Sequence, residues 1–258
     1  MRITPISIAK LRFFDLLTQK KYRIENQLYI AEGRKLLQEA ILTNQPIEYL
    51  IVSEGYLQKY QTLPTLNTNL FSCSDAHYKK LSDLSSPEGI MCILPLPKEP
   101  LIAPLKPALL VDKIQDPGNL GTLLRTAVWF GFETIYYTEN TVDCFSPKAV
   151  RSSMGAIFRQ QFIQVRSIED FIKANVDRII CTTVEKGTSI IEAIFPKYPI
   201  VWLGNESVGI QEVNMPNSIL KVQIPNPNNS FDSLNVSIAG SILMYKIWEN
   251  NITKMDNC

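Results

Sequence analysis

Asp112–Phe132, DKIQDPGNLGTLLRTAVWFGF, decides how the chain is read. It runs as a strand end, a Pro-Gly turn and an amphipathic helix. Leu120, Leu123, Leu124, Ala127 and Val128 fall at helical spacing, i, i+3, i+4, i+7 and i+8. Arg125 lies roughly 130° around the helix from the middle of that stripe, given about 100° per residue. It therefore points away from the core, just above the turn that holds Asn119. Open α/β sheets place their ligands at the carboxyl ends of their strands. An Asn and an Arg so placed predict a site that positions a substrate. Taken alone, the stretch fits a capped surface helix with a solvated Arg equally well.

Working outward, the pattern repeats. Ala108–Ile114, Glu133–Thr138, Arg178–Val184, Pro199–Leu203 and Leu220–Ile224 are apolar, β-rich runs separated by helical stretches. This alternation predicts an α/β fold with a largely parallel sheet covered on both faces. A last helix is expected from about Ser233 to Glu249, with Leu234, Ile238, Ile242, Leu243 and Ile247 on its apolar side, and residues 250–258 read as a frayed tail. Upstream, Pro95, Pro97, Pro100, Pro104 and Pro107 mark a linker. The division expected is 1–97, a small α/β unit; 98–107, the Pro-rich linker; and 108–258, the sheet domain. In the first segment, Ile8–Leu17 and Glu32–Leu42 read as helices, and Asn26–Ala31, Ile47–Val52 and Gly89–Leu94 as strands. Lys20, Lys21, Arg23, Arg34 and Lys35 make a basic cluster, whose plain alternative is a solvated face.

Composition narrows the chemistry. The chain has 258 residues, 45% of them hydrophobic, enough for a packed core. Its apolar runs are far shorter than the ~20 residues of a membrane span. The opening MRITPISIAKLRFFDLL lacks the unbroken apolar region of a signal peptide, so a cytoplasmic protein is expected. The five cysteines, Cys73, Cys92, Cys144, Cys181 and Cys258, are scattered and form neither a disulfide framework nor a zinc pattern. His77 is the single histidine and has no ligand partner at metal spacing, so neither His-based catalysis nor a metal is expected. The formal charge of +1 argues against broad adhesion to nucleic acid and leaves local patches to do any such binding.

Three turns follow strands in the second segment: Asp116–Asn119, Leu203–Gly209 and Ile224–Asn235. None is G-x-G-x-x-G or a P-loop, so dinucleotide and triphosphate readings are weak. The turns offer backbone N–H and C=O groups with Asn205, Glu206, Ser233 and Asn235. Such a set suits a neutral or cationic nucleoside better than a polyphosphate.

NLGTLLRTA, VWLGNESVG and IP…SLNVSIAG, in this order, resemble the three signature motifs of the SpoU/TrmH family of RNA ribose 2′-O-methyltransferases. SPKAVRSSMGAIFR, Ser146–Arg159, is similar to the segment that family carries between its first and second motifs. KKYRIENQLYIAEGRKLLQEA and LSSPEGIMCILPLP resemble its N-terminal substrate-binding domain. The resemblance covers nearly the whole chain. It implies a catalytic sheet closed by a deep trefoil knot, a fold that general topology rules would have excluded. It also implies S-adenosylmethionine as cofactor, a homodimer, and structured RNA as substrate, rRNA or tRNA with rRNA ranked first. Carried over by position, Gly204, Ile224 and Leu234 would contact the cofactor, and Asn119, Arg125, Glu206, Ser233 and Asn235 would surround the reacting groups. Lys148 and Arg151, with Arg159, join the N-terminal basic cluster as candidate RNA contacts. Asn226 stands where the family's third motif usually has methionine, and the loop after it is slightly longer than usual.

The implied reaction is in-line attack of a ribose hydroxyl on a sulfonium methyl. Alignment and loss of the hydroxyl proton are its difficult parts. A guanidinium, which is not deprotonated in proteins, is a poor base. Arg125 suits a phosphate clamp and stabiliser of the developing alkoxide better. Glu206 has a second reading, bonding loop backbone. Two other classes stay open. One is a non-catalytic RNA-binding or ribosome-assembly factor of the same fold. The other is a nucleotide-binding hydrolase or oxidoreductase on an ordinary doubly wound sheet, against which the missing Gly-rich fingerprint speaks.

Overall fold

The computed structural model describes residues 3–60, 63–64, 66–183, 187–205, 208–210, 215–227 and 232–255, the last four as backbone only. In chain order the elements are β1 (Thr4–Pro5), α1 (Ile8–Leu16), α2 (Lys20–Asn26), β2 (Leu28–Glu32), α3 (Arg34–Leu42), β3 (Tyr49–Ser53), α4 (Glu54–Lys59), β4 (Asn69–Cys73), α5 (Asp75–Leu81) and β5 (Ile90–Pro95). Then come β6 (Ala108–Val111), α6 (Pro117–Trp129), β7 (Thr134–Thr138), α7 (Pro147–Ser152), β8 (Gln161–Val165), α8 (Ile168–Asn175), β9 (Ile179–Thr183), β10 (Thr188–Ser189), β11 (Ile200–Leu203), β12 (Leu220–Gln223) and α9 (Val236–Met255).

The chain forms two compact units. One holds residues 1–97 and also 143–158; the other holds 98–142 and 159–258. The sequence reading assigned 143–158 to the sheet domain. Its sheet-flanking position in sequence hides the contacts that draw it away. Arg23 reaches Asp143, its Nε 3.1 Å from Oδ2. Arg151 pairs with Glu32 at 3.4 Å and with Asp83 at 2.7 Å. Phe145 meets the ring of Tyr29 edge-on at 5.1 Å.

The first unit is built on a mixed sheet of order β1-β4-β3-β5-β2. β1, β3 and β4 run parallel, while β5 is antiparallel to both β3 and β2. Phe14, Leu17, Ile51, Phe71, Tyr78, Met91 and Ile93 form one side of its core, with α1 and α5 laid over them. The expected strands at Asn26 and Ile47 begin later, at Leu28 and Tyr49, and Lys20–Asn26 is helical.

The second unit carries a sheet of order β10-β12-β9-β11-β6-β7-β8, in which every described pairing is parallel. On one face Leu110, Tyr136, Ile179, Ile200 and Trp202 pack with Ile172 and Phe171 of α8. Alternation along the strands sends Leu109, Val111, Val201 and Leu203, all buried, to the other face. There α6 buries Leu120, Leu123, Leu124 and Ala127, the stripe read from sequence. Leu243, Met244 and Ile247 are the buried side of α9, which lies against α6 and β11. α9 continues to Met255, past the expected end at Glu249.

Strands run outward in one direction from β6 to β7 and β8. The chain then crosses to the other side for β9, β11 and β12. The reversal lies between β6 and β11. A parallel sheet splits its outgoing loops apart at such a point, and a ligand crevice forms at the carboxyl ends.

Candidate active site

The turn after β6 is a designed entry to a helix. Asp116 is extended and accepts the backbone N–H of Asn119 at 2.8 Å, and Pro117 occupies the first turn, where its missing N–H costs nothing. This fixes Asn119 at the carboxyl edge of the sheet. Its Oδ1 accepts a hydrogen bond from Nδ2 of Asn235 at 3.1 Å. Asn235 in turn caps α9. Its Oδ1 accepts from the N–H and hydroxyl of Ser237, at 2.9 and 2.6 Å. Two residues 116 apart in sequence are thus brought together by the starts of two helices.

Gly204 follows β11 directly and is buried. A Cβ there would lie 2.5 Å from the carbonyl of Gly209 and 2.6 Å from the nitrogen of Ile210. The loop folds on itself through paired backbone bonds between Asn205 and Gly209, 3.0 and 2.9 Å. Ile224 follows β12 and is half-buried. Ser233 and Leu234 are exposed on the approach to α9. Glu206 lies outside the described residues. The backbone-rich edge therefore draws Gly204, Ile224, Asn119 and Asn235 to the carboxyl ends of one sheet.

Arg125 stands apart from that pair. It is exposed and makes no ion pair with a described residue. It lines a groove of about 600 Å³ between α6 and α9, with Thr122, Thr126, Trp129, Ser241 and Tyr245. Thr126 and Ser241 hydroxyls bond at 3.0 Å across its floor. The same groove exposes large apolar surface: Trp129 is 82% exposed, and Ile238, Ile242, Tyr245 and Trp248 are open along α9.

The basic candidates divide sharply. Lys20 and Lys21 are exposed on α2, Lys21 3.8 Å from Glu25. Arg34 lies 4.2 Å over the ring of Tyr60, and Lys35 bonds Glu39 at 2.6 Å while remaining 56% exposed. Lys148 is exposed on α7. Arg23 is a correction to the sequence reading. It is only 3% exposed, and its Nη1 donates to the carbonyls of Leu17 and Thr18 at 2.7 Å. Its charge is consumed inside the unit, at the end of α1 and on Asp143. Arg151 differs from Arg23: its side chain stays 19% exposed while pairing with Glu32 and Asp83. Among the described residues, no group of three or more His, Cys, Asp and Glu side chains could hold a metal ion. Nor is any described helix long and apolar enough to cross a membrane.

The apolar face of the last helix, with Tyr245 and Trp248, was legible in the sequence; the place of Trp129 in the groove beside it and the pairing of Arg34 with Tyr60 were not. An exposed Trp129 at the end of an amphipathic helix was the available signal for the first. Nothing in the sequence announced the second.

The chain matches known proteins along nearly its full length. Residues 106–245 match the SpoU rRNA Methylase family, and residues 9–92 match the MRM3-like substrate binding domain. It is 27% identical over 243 residues to the 23S rRNA (guanosine(2553)-2′-O)-methyltransferase RlmP of Bacillus subtilis, covering 92% of this chain and 95% of that protein. A structure described as a putative RNA methyltransferase of the TrmH family from Porphyromonas gingivalis is 31% identical, with a TM-score of 0.81 over 94% of this chain and 98% of the other. An AdoMet-bound rRNA methyltransferase from Sinorhizobium meliloti, 23% identical, has the same fold, with a TM-score of 0.81 over 96% and 98% of the two chains. With more than half of its residues inside the family's own pattern, the chain belongs to the SpoU rRNA methylase family.

Proposed function

We propose that this chain transfers a methyl group from S-adenosylmethionine to a ribose 2′-hydroxyl of structured RNA, ribosomal rather than transfer RNA. The observation that carries the reading is the meeting of Asn119 and Asn235 at the sheet edge that also bears Gly204. The residues fit the cofactor. Gly204 lets the backbone of Gly209 and Ile210 pack directly against it, where any side chain would collide, so the edge there presents main-chain groups. The side chains that meet there, Asn119 and Asn235, are neutral carboxamides, which suits a cationic sulfonium nucleoside. Gly204, Ile224 and Leu234 would hold it, chiefly by backbone. Bound there, it supplies an electrophilic methyl whose sulfur departs as a neutral thioether.

The ribose oxygen forms the new bond to carbon and must shed its proton. Guanidinium groups stay protonated in proteins, so Arg125 is not the base. Its planar donors clamp the neighbouring phosphate and stabilise negative charge as it develops on the oxygen. Asn119, held by Asn235, orients the ribose, and Ser233 adds a hydroxyl. Glu206 either accepts the proton or braces the loop.

RNA affinity is assigned to the first unit through Lys20, Lys21, Arg34 and Lys35, joined by Lys148. We assign the chain to the cytoplasm. The exposed apolar groove between α6 and α9 supports a homodimer, since monomers rarely leave such surface open. A trefoil knot is supported by the route of the C-terminus. It leaves β12, next to the sheet's edge strand, and returns to its centre, where Gly240 permits close approach to Leu203 and Leu123.

Titration calorimetry with S-adenosylmethionine, with and without a chelator, tests the cofactor. Incubation with rRNA and mapping of 2′-O-methyl marks tests the reaction. Binding unaffected by chelator, plus one new mark, is expected. A chain that binds rRNA but not the cofactor would instead be an assembly factor.

A further inference from the structure

The exits of β7, β6 and β11 are stitched together by side chains that the reaction itself does not use. Past the last paired residues, the N–H of Asp112 donates to the Leu203 carbonyl at 2.9 Å. The Asp112 carboxylate accepts from Trp202 Nε1 at 3.3 Å and from the Thr138 hydroxyl at 2.8 Å. Next comes Lys113, a non-glycine residue in the left-handed region at φ +58°. Its N–H is shared by the hydroxyl oxygens of Thr138 and Thr141, at 3.2 and 3.0 Å. Both hydroxyl protons are engaged elsewhere, Thr138 on Asp112 and Thr141 on the Val111 carbonyl at 3.0 Å. The unusual backbone of Lys113 is therefore over-determined, and it turns its carbonyl toward β11.

That carbonyl accepts Nδ2 of Asn205 at 3.0 Å, while Asn205 Oδ1 accepts the N–H of Val208 at 3.2 Å. A donor at one end and an acceptor at the other define the orientation of the carboxamide. The residue after Gly204 thus reaches back across the strand-order reversal to the turn that launches α6. We propose that Asn205 is a positioning residue that ties the Gly204 loop to the Lys113 carbonyl, setting the cofactor loop in register with Asn119. The proposal rests on the methyltransferase reading. The role assigned to Asn205 acts through its bonds to Lys113 and Val208, on where Gly204 presents its backbone.

The test uses the full chain and two variants, Asn205→Asp and Asn205→Ala. Asn205→Asp keeps an acceptor for Val208 but sets a carboxylate oxygen against the Lys113 carbonyl. Asn205→Ala removes both contacts; should it fail to fold, Asn205→Asp decides alone. Without any ligand, amide hydrogen exchange should quicken at Gly209 and across residues 113–119 in Asn205→Asp. Calorimetry should show S-adenosylmethionine bound about 10-fold more weakly, the loss expected for one part-buried hydrogen bond replaced by repulsion. RNA affinity should stay unchanged, and melting should fall by no more than one lost hydrogen bond costs. Unaltered exchange overturns the proposal. So does cofactor affinity within about two-fold of the wild type, or a parallel fall in RNA affinity. Absence of cofactor binding by the wild type would sink the functional reading instead, and the exchange measurement would still decide whether Asn205 ties the loops.

Discussion

Arg125→Ala removes a side chain that projects into an open groove and supports no described neighbour. It should change stability by no more than about 0.5 kcal/mol, as at ordinary surface sites. Methyl transfer should nevertheless fall by ~10²-fold or more, the scale of a lost donor to developing charge. Arg125→Lys keeps the charge without the planar fork and should restore little. Melting and single-turnover methylation on one preparation check this; near-normal turnover in Arg125→Ala would sink it. Glu32 offers a second test at this scale. Burial raises its pKa, against the lowering effects of Ser82, Arg151 and Tyr78. The folded state therefore holds the proton more tightly than the unfolded one. The resulting stability is complete below the ordinary carboxylate range and is lost as pH rises through the folded pKa. Glu32→Gln removes that titration and leaves Arg151 its pair with Asp83. Melts at pH 4.5 and 7 should show the variant gaining on the wild type as pH rises; the opposite trend refutes the assignment. Single residues were unevenly legible. Asn119 and Arg125 stood out because helix phase and a turn fixed where they point. Arg23 was misread because its partner Asp143 lies far away in sequence, and charge alone does not reveal an acceptor.

At the scale of elements, the informative loops are those that follow strands. Gly204→Ala would drive a Cβ into the Gly209 carbonyl, which is backbone and cannot swing aside. It should cost about 1–3 kcal/mol, the range of overpacking. It should also weaken S-adenosylmethionine binding more than it weakens RNA binding. Equal cofactor affinity in the variant, measured calorimetrically, would remove Gly204 from the site. The same comparison explains which elements could be read beforehand. β6 and β11 are wholly apolar because both their faces are buried, and β7 and β9 are nearly so. α6 and α3 show clear apolar stripes. β8, QFIQV, was missed because it lies at the sheet's edge and alternates with glutamines. β4, NLFSC, is short and follows a turn-rich stretch. α2 was hidden by its charge: a single buried residue, Arg23, marks its inner side, so no apolar stripe exists to find.

For the whole molecule, no local pattern encodes the division into units. Residues 143–158 sit between two strands of one sheet yet belong to the other unit, held by Arg23, Arg151 and Phe145. Strand order is equally silent in sequence, since β6 pairs with both the next strand and one roughly ninety residues on. Association is the property of the whole that can be tested most directly. Phe130, Tyr245 and Trp248 cluster with ring centroids 5.6–5.9 Å apart, and Trp129 projects beside them, open to water. A second copy would bury this surface, together with the groove in which Arg125 stands. Trp129→Asp leaves the core untouched, because the ring it removes is already solvated. In a dimer it would place a charge in an apolar contact, where desolvation is costly. Light scattering should report a dimer for the wild type and a monomer for Trp129→Asp, with unchanged melting of dilute protein. If Arg125 acts only once that groove is covered, methylation should be lost along with the dimer while cofactor binding at the Gly204 edge survives. A wild-type monomer at every concentration would refute the dimer. A monomeric variant with full activity would show instead that each chain holds a complete site.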